Sequence, residues 1–193
     1  MAERVESGQT PANQPRGILA LGNDYLTLMK PPIIALLVIT AVGGMFLAAE
    51  GIPHLPTLAF VCIGGALGAG GANAINHFLD QDIDSIMSRT VQRPVASHRI
   101  PPFIALAFGI GLNIGAFFVL AYCVNLLSAC LTLSATLFYV LVYTGWLKRN
   151  TPQNIVIGGA AGAIPPMVGW AAVTGSLELP AVYMFTIIFF WTP

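Results

Sequence analysis

Residues Pro31 to Ala49 read PPIIALLVITAVGGMFLAA, nineteen residues without one ionisable side chain. A hydrocarbon core of about 30 Å is crossed by about 20 apolar residues in α-helix, so this run is long enough to span a bilayer. The small residues at its end resemble an uncleaved signal, but the run lies too far into the chain for that reading. Similar runs recur at short intervals, and spans are expected at about 57 to 79, 101 to 123, 126 to 147 and 154 to 174, with a sixth opening near Leu179. Pro31-Pro32 and Pro101-Pro102 stand where helices should start, because a missing amide hydrogen costs nothing in a first turn. The fold class that follows is all-α: a polytopic transmembrane helix bundle with five full spans and a partial sixth.

Composition agrees. The chain has 193 residues, of which 8% are charged and 56% hydrophobic, with a mean hydropathy of +0.78. That is too apolar for a soluble domain, so the lipid bilayer is its expected solvent. Net charge is zero and no basic run is present, so nothing points to nucleic acid as a partner and none is expected. Cys62, Cys123 and Cys130 lie in apolar runs without the spacing of a zinc site or disulfide framework, and they read as packing residues. Residues 1 to 29, with Glu3, Glu6, Pro11 and Pro15, read as a disordered cytoplasmic tail, leaving 30 to 193 as the membrane domain.

The charges are informative through their placement. Arg4, Arg16 and Lys30 precede the first span, Arg89, Arg93 and Arg99 follow the second, and Lys148 and Arg149 follow the fourth. All eight basic residues therefore fall on one side, which the positive-inside rule makes cytoplasmic, together with the amino terminus. The opposite loops carry Glu50, His54 and Glu178. The sequence ends at FFWTP, about 15 residues and about 22 Å into the sixth span, and a fragment cut within a helix is expected. Gly64, Gly68 and Gly71, and likewise Gly158 and Gly162, place small residues on one helical face, which suits close helix packing rather than a nucleotide loop. Pro165-Pro166 should kink the fifth span beside a cavity.

Chemistry concentrates in NHFLDQDID, Asn76 to Asp84. Asn76, Asp80 and Asp84 recur every four residues, so on a helix they drift only about 40° per step and form one polar stripe. Asp82 points about 200° away from Asp80, toward Arg89 or the interface. Uncompensated carboxylates at a membrane boundary are costly, and a divalent cation resolves that cost. Few hard oxygen ligands with room for water suit Mg²⁺ shared with a substrate's phosphates. The cations Arg89, Arg93, Lys148 and Arg149 lie on the same side and are donors suited to diphosphate oxygens. Against this stands the plainer reading that these acids and bases pair with one another as a solvated face.

The segment NHFLDQDIDSIMSRTVQRP, Asn76 to Pro94, resembles the first aspartate-rich motif of the membrane-embedded UbiA-type prenyltransferase superfamily. LKRNTPQNIVIGGAAGAIPPMVGWAAVTG, Leu147 to Gly175, with KPPI at Lys30 and the final FFWTP, is similar to its heme O synthase (protoheme IX farnesyltransferase) branch. The resemblance implies nine transmembrane helices around a cavity open to the bilayer, in the inner (cytoplasmic) membrane. It implies Mg²⁺-dependent transfer of farnesyl from farnesyl diphosphate to a vinyl group of heme b, giving heme O. Partners of such an enzyme would be heme A synthase or cytochrome oxidase assembly proteins. Residue by residue, it assigns Asn76, Asp80 and Asp84 to the metal, with Asp80 and Asp84 catalytic. It assigns Arg89, Arg93 and Lys148 to the diphosphate, and Tyr143, Asn73 and His77 to the substrate cavity. An interfacial aromatic accounts for Tyr143 equally well, and hydrogen bonding to a neighbour is the commoner role for a lone histidine such as His77.

Two departures stand out. His98 occupies a position where a glycine is expected, and the second aspartate-rich motif, expected after the sixth span, is not in the sequence. On that reading the chain carries half of a metal site and is inactive alone. Two other functions compete: prenylation of a quinone precursor, and cation transport using the aspartates. The second needs acidic residues along a path through midmembrane, and spans three to five have none.

Overall fold

The computed structural model describes residues 17 to 192, and among them every regular element is a helix. In order these are α1 (Ile18–Met29), α2 (Pro31–Ala48), α3 (Leu55–Leu79), α4 (Gln81–Ile86) and α5 (Pro102–Cys123). Next comes α6 (Leu126–Leu137), which continues as a π-helical segment (Phe138–Leu147) into α7 (Lys148–Asn150), and then α8 (Asn154–Ala163), α9 (Pro165–Thr174) and α10 (Leu179–Trp191). Among the described residues, five stretches are long and apolar enough to cross a membrane: α2, α3, α5, Leu126–Asn150 and Asn154–Thr174. This is a multi-pass membrane protein, and its helices begin and end within a few residues of the expected spans.

The tail expected over 1 to 29 needs correction in its second half, where α1 forms. Packing orders it: Leu28 is fully buried in a cluster with Ala74, Val95, Ile100 and Ala105. The ring of Tyr25 meets Phe108 edge-on at 4.9 Å, and buried Asp24 pairs with Arg99 at 3.4 Å. The mostly apolar stretch ILALGNDYLTLM thus folds because α3, the loop after α4 and the start of α5 cover the side that carries Asp24 and Leu28, while Ile18, Leu19 and Leu26 stay exposed. Residues 1 to 16, with Arg4 and Arg16, lie outside the described residues.

The spans pack through small residues, as helices in lipid must. On α3, Gly71 faces α5, and a Cβ on the opposed Gly109 would sit 2.7 Å from the Gly71 carbonyl oxygen. The tightest crossing is between α2 and α9, where a Cβ on Gly169 would overlap the carbonyl of Ala41 and one on Gly44 would overlap the carbonyl of Pro166. The chain breaks where Pro165-Pro166 foretells it, α8 ending at Ala163 and α9 starting at Pro165. Gly158 packs on the ring of Tyr143, whereas Gly162 has no atom within reach of an added Cβ and lines a cavity instead of a helix seam.

His98 takes φ of +56°, the left-handed conformation that a glycine adopts without strain, and its side chain is exposed. An L-residue pays roughly 1 to 2 kcal/mol there, partly offset in the comparison by the larger chain entropy of unfolded glycine. His98→Gly is therefore expected to stabilise the protein by about 1 kcal/mol or less, read as a higher thermal midpoint in detergent.

Candidate functional site

At the end of α3 the chain leaves the α-helix at Asp80 (φ −95°, ψ 6°) before α4 begins. Hydrogen bonds from Asp80 N to Asn76 O (2.9 Å) and from Asp84 N to Asp80 O (2.8 Å) carry the four-residue register across the break. The stripe of Asn76, Asp80 and Asp84 therefore survives, and all three side chains are buried, Asp80 completely.

Each member has a cationic neighbour. Asn76 Nδ2 donates to Asp80 Oδ2 at 2.7 Å and to Thr144 Oγ1 at 3.3 Å, while its Oδ1 accepts from Lys30 Nζ at 3.0 Å. Lys148 Nζ donates to Asp80 Oδ2 at 2.6 Å. Arg93 Nη1 donates to both oxygens of Asp84, at 2.9 and 2.8 Å, and buried Thr90 ties its hydroxyl to the Asp84 carbonyl at 3.0 Å. The acids and bases thus pair with one another, as the plainer reading of the sequence has it. Pairing does not balance the cluster: two carboxylates (Asp80, Asp84) face three cations (Lys30, Arg93, Lys148), so one positive charge is in excess. Burial pushes the Lys30 ammonium down to about 8, Arg93 and Lys148 push it the same way, and Asp84 and Asp80 oppose them. A cluster of this kind is a ready receptor for an anion.

Asp82 faces away, as its register requires, but its partner is Arg149 rather than Arg89. Arg149 donates to both Asp82 oxygens at 2.8 Å and to the Leu79 carbonyl at 2.7 Å. Its guanidinium holds the Asp82 carboxyl below the usual range. Arg89 is exposed and makes no ion pair among the described residues.

Beside the cluster lies an apolar cavity of about 680 Å³, walled by α2, α3, the fourth span, α8, α9 and α10. Asn73 and Tyr143 line it as expected. Asn73 donates to the Met29 carbonyl at 3.0 Å, and Tyr143 stacks on Tyr139 at 5.4 Å. His77 does not line the cavity; it is buried, and neither ring nitrogen has a hydrogen-bond partner among the described residues.

Among the described residues, no group of three His, Cys, Asp or Glu side chains is close enough to hold a metal unaided. A cation here needs the amide oxygen of Asn76 and oxygens from a ligand beside those of Asp80 and Asp84. Asp80 Oδ1 fits that use, being buried and without a hydrogen-bond partner.

A sequence model described as the UbiA prenyltransferase family matches residues 36 to 193. The chain belongs to that family. Among its relatives, protoheme IX farnesyltransferase 1 of Saccharopolyspora erythraea is 54% identical over 184 residues, covering 95% of this chain and 58% of the relative. Protoheme IX farnesyltransferases of Cyanothece sp. and Thermus thermophilus are 52% and 51% identical, over 97% and 100% of this chain and 58% and 32% of their own lengths. The chain spans from about a third to about three fifths of the curated relatives it matches. No solved structure matches it.

Two contacts in this UbiA-family site escape a reading of the sequence. Lys30 stands out there as a topogenic charge and as the first residue of the KPPI resemblance, but with no role in the site, although a lysine directly before Pro31-Pro32 at the head of a span was a usable signal. Thr144 carries none. It reaches Asn76 because the fourth span turns π-helical from Phe138 to Leu147, wide turns of a kind that recur at functional sites.

Proposed function

We propose that the protein transfers a farnesyl group from farnesyl diphosphate to a vinyl group of heme b, producing heme O, at the cluster of Asn76, Asp80 and Asp84. The observation that carries this reading is a fully buried aspartate with one unpartnered oxygen, set among three cations beside an apolar cavity. The names of the relatives favour heme over a quinone precursor as acceptor.

In this mechanism Asn76, Asp80 and Asp84 would hold Mg²⁺, which would supply charge neutralisation to the diphosphate and so make it a better leaving group. Arg93 and Lys148 exchange their carboxylates for diphosphate oxygens, and Lys30 adds a third donor. The C1–O bond of the prenyl diphosphate breaks with its electron pair leaving on the diphosphate. The allylic cation so formed is attacked by the vinyl carbon, and water captures the resulting cation as a hydroxyl, releasing a proton. Tyr143 lines the cavity beside Thr144, which bonds Asn76, so its ring lies near the cluster where the cation forms, and the apolar lining keeps stray water from quenching that cation. The cluster faces the cytoplasm, which the one-sided placement of the basic residues supports, and the inner membrane is what the family resemblance implies.

Heme extracted from membranes provides the test. A protein of the relatives' full length is expected to convert heme b to heme O when supplied with farnesyl diphosphate and Mg²⁺, and residues 1 to 193 alone to yield none. Unchanged heme b beside a prenylated quinone precursor would overturn the acceptor, and no prenylated product at all would overturn the reaction.

A further inference from the structure

The cavity follows the spans inward from the polar cluster and then stops. Its lining on α3 runs from Asn73 to Val61, twelve residues and about 18 Å along the helix axis. On α2 it ends at Ala41 and on the fourth span at Thr132. Beyond lies a closed core of Ala41, Met45, Val61, Leu120, Ala129 and Ala172. Ala41 and Val61 belong to both the lining and the core, and Val61 is only 1% exposed. At this depth α2 and α9 meet backbone to backbone, with Gly169 against the Ala41 carbonyl, so no chain can pass between them. The slot is blind, and these two residues are its floor.

An extended isoprene unit, four chain bonds of about 1.5 Å each in zigzag, advances about 5 Å, so about 18 Å takes three whole units with about 3 Å to spare, too little for a fourth. We propose that Val61, with Ala41, is the specificity-determining floor that sets the prenyl chain at three isoprene units. This deepens the function proposed above and rests on its prenyl diphosphate donor. The competing possibility is that a longer chain turns sideways into lipid between α2 and α10, where Leu36 and Trp191 line the cavity and are exposed.

Gly65, one turn above Val61, lines the cavity, and a Cβ there would lie at an ordinary 3.7 Å from Val38 Cγ2. The Cβ of Gly65→Leu is therefore accommodated without displacing backbone, and the rest of its side chain, directed into the cavity, raises the floor by about 6 Å. Geranyl, farnesyl and geranylgeranyl diphosphates are to be competed for the purified full-length protein in detergent with Mg²⁺, alongside the heme O assay. Gly65→Leu is expected to shift the preference from farnesyl toward geranyl by at least about tenfold, with geranyl binding retained as evidence of folding. Val61→Ala is expected to shift it toward geranylgeranyl by about tenfold. Unchanged ratios in both variants, with heme O still formed by wild type, would overturn the floor and leave the transfer reaction standing. Shifted ratios without heme O formation would uphold the floor and remove the reaction.

Discussion

Asp80→Ala in the full-length protein is expected to abolish heme farnesylation, and Asp80→Asn to lower it by at least about 10²- to 10³-fold. Asp80 is the one member of the cluster with no exposed surface. Its Oδ2 already serves Asn76 and Lys148, and its Oδ1 is the unpartnered oxygen that suits a cation. Alanine removes both and leaves Lys148 and Asn76 without their acceptor, a structural loss of about 1 to 3 kcal/mol. Asparagine keeps the volume and an acceptor but not the charge. The two variants therefore separate folding from chemistry: Asn should retain a near-native thermal midpoint while losing activity. Asp82→Asn is the matched control, since Asp82 is exposed and paired with Arg149 outside the cluster; its activity should stay within about twofold.

The largest effect on stability is expected at the α2–α9 crossing. A methyl group at Gly169 meets the Ala41 carbonyl, with Met45 N also close at 3.1 Å, and all of these are backbone atoms that no rotamer change can move aside. Gly169→Ala must push the two helices apart, and overpacking of this kind costs about 1 to 3 kcal/mol or more. Gly43→Ala, one residue from Gly44 on the same helix, has nothing within 4 Å of the new methyl and should be neutral. Thermal unfolding in detergent should show a clear drop for the first and none for the second. Because the crossing closes the cavity floor, Gly169→Ala should also loosen the preference for chain length.

The spans were legible because the bilayer imposes a length and an apolarity that few other environments require, and the break at Pro165 because proline chemistry is local. Helix α1 was not, since its order comes from Leu28 and Asp24 meeting elements far along the chain. The stripe of Asn76, Asp80 and Asp84 could be read from its spacing, and the register survived a break that spacing does not announce. Partners could not be read in the same way. Lys30 is 46 residues from Asn76, and Lys148 is 68 from Asp80. Arg89 and Arg93, four residues apart, would share a face only on a helix, and the helix ends at Ile86. What remained of the chain there folds as turns, which leave Arg93 on Asp84 and Arg89 exposed.

The central claim is that Asn76, Asp80 and Asp84 bind a divalent cation together with a prenyl diphosphate. Equilibrium binding of farnesyl diphosphate to the purified full-length protein, with Mg²⁺ and then with excess chelator, tests it most directly. Binding that falls at least about tenfold on chelation, and equally in an Asp80→Asn, Asp84→Asn double variant whether or not Mg²⁺ is present, is the result expected. Binding indifferent to both chelator and substitution would contradict it, and would leave the aspartates as structural partners of Lys148 and Arg93.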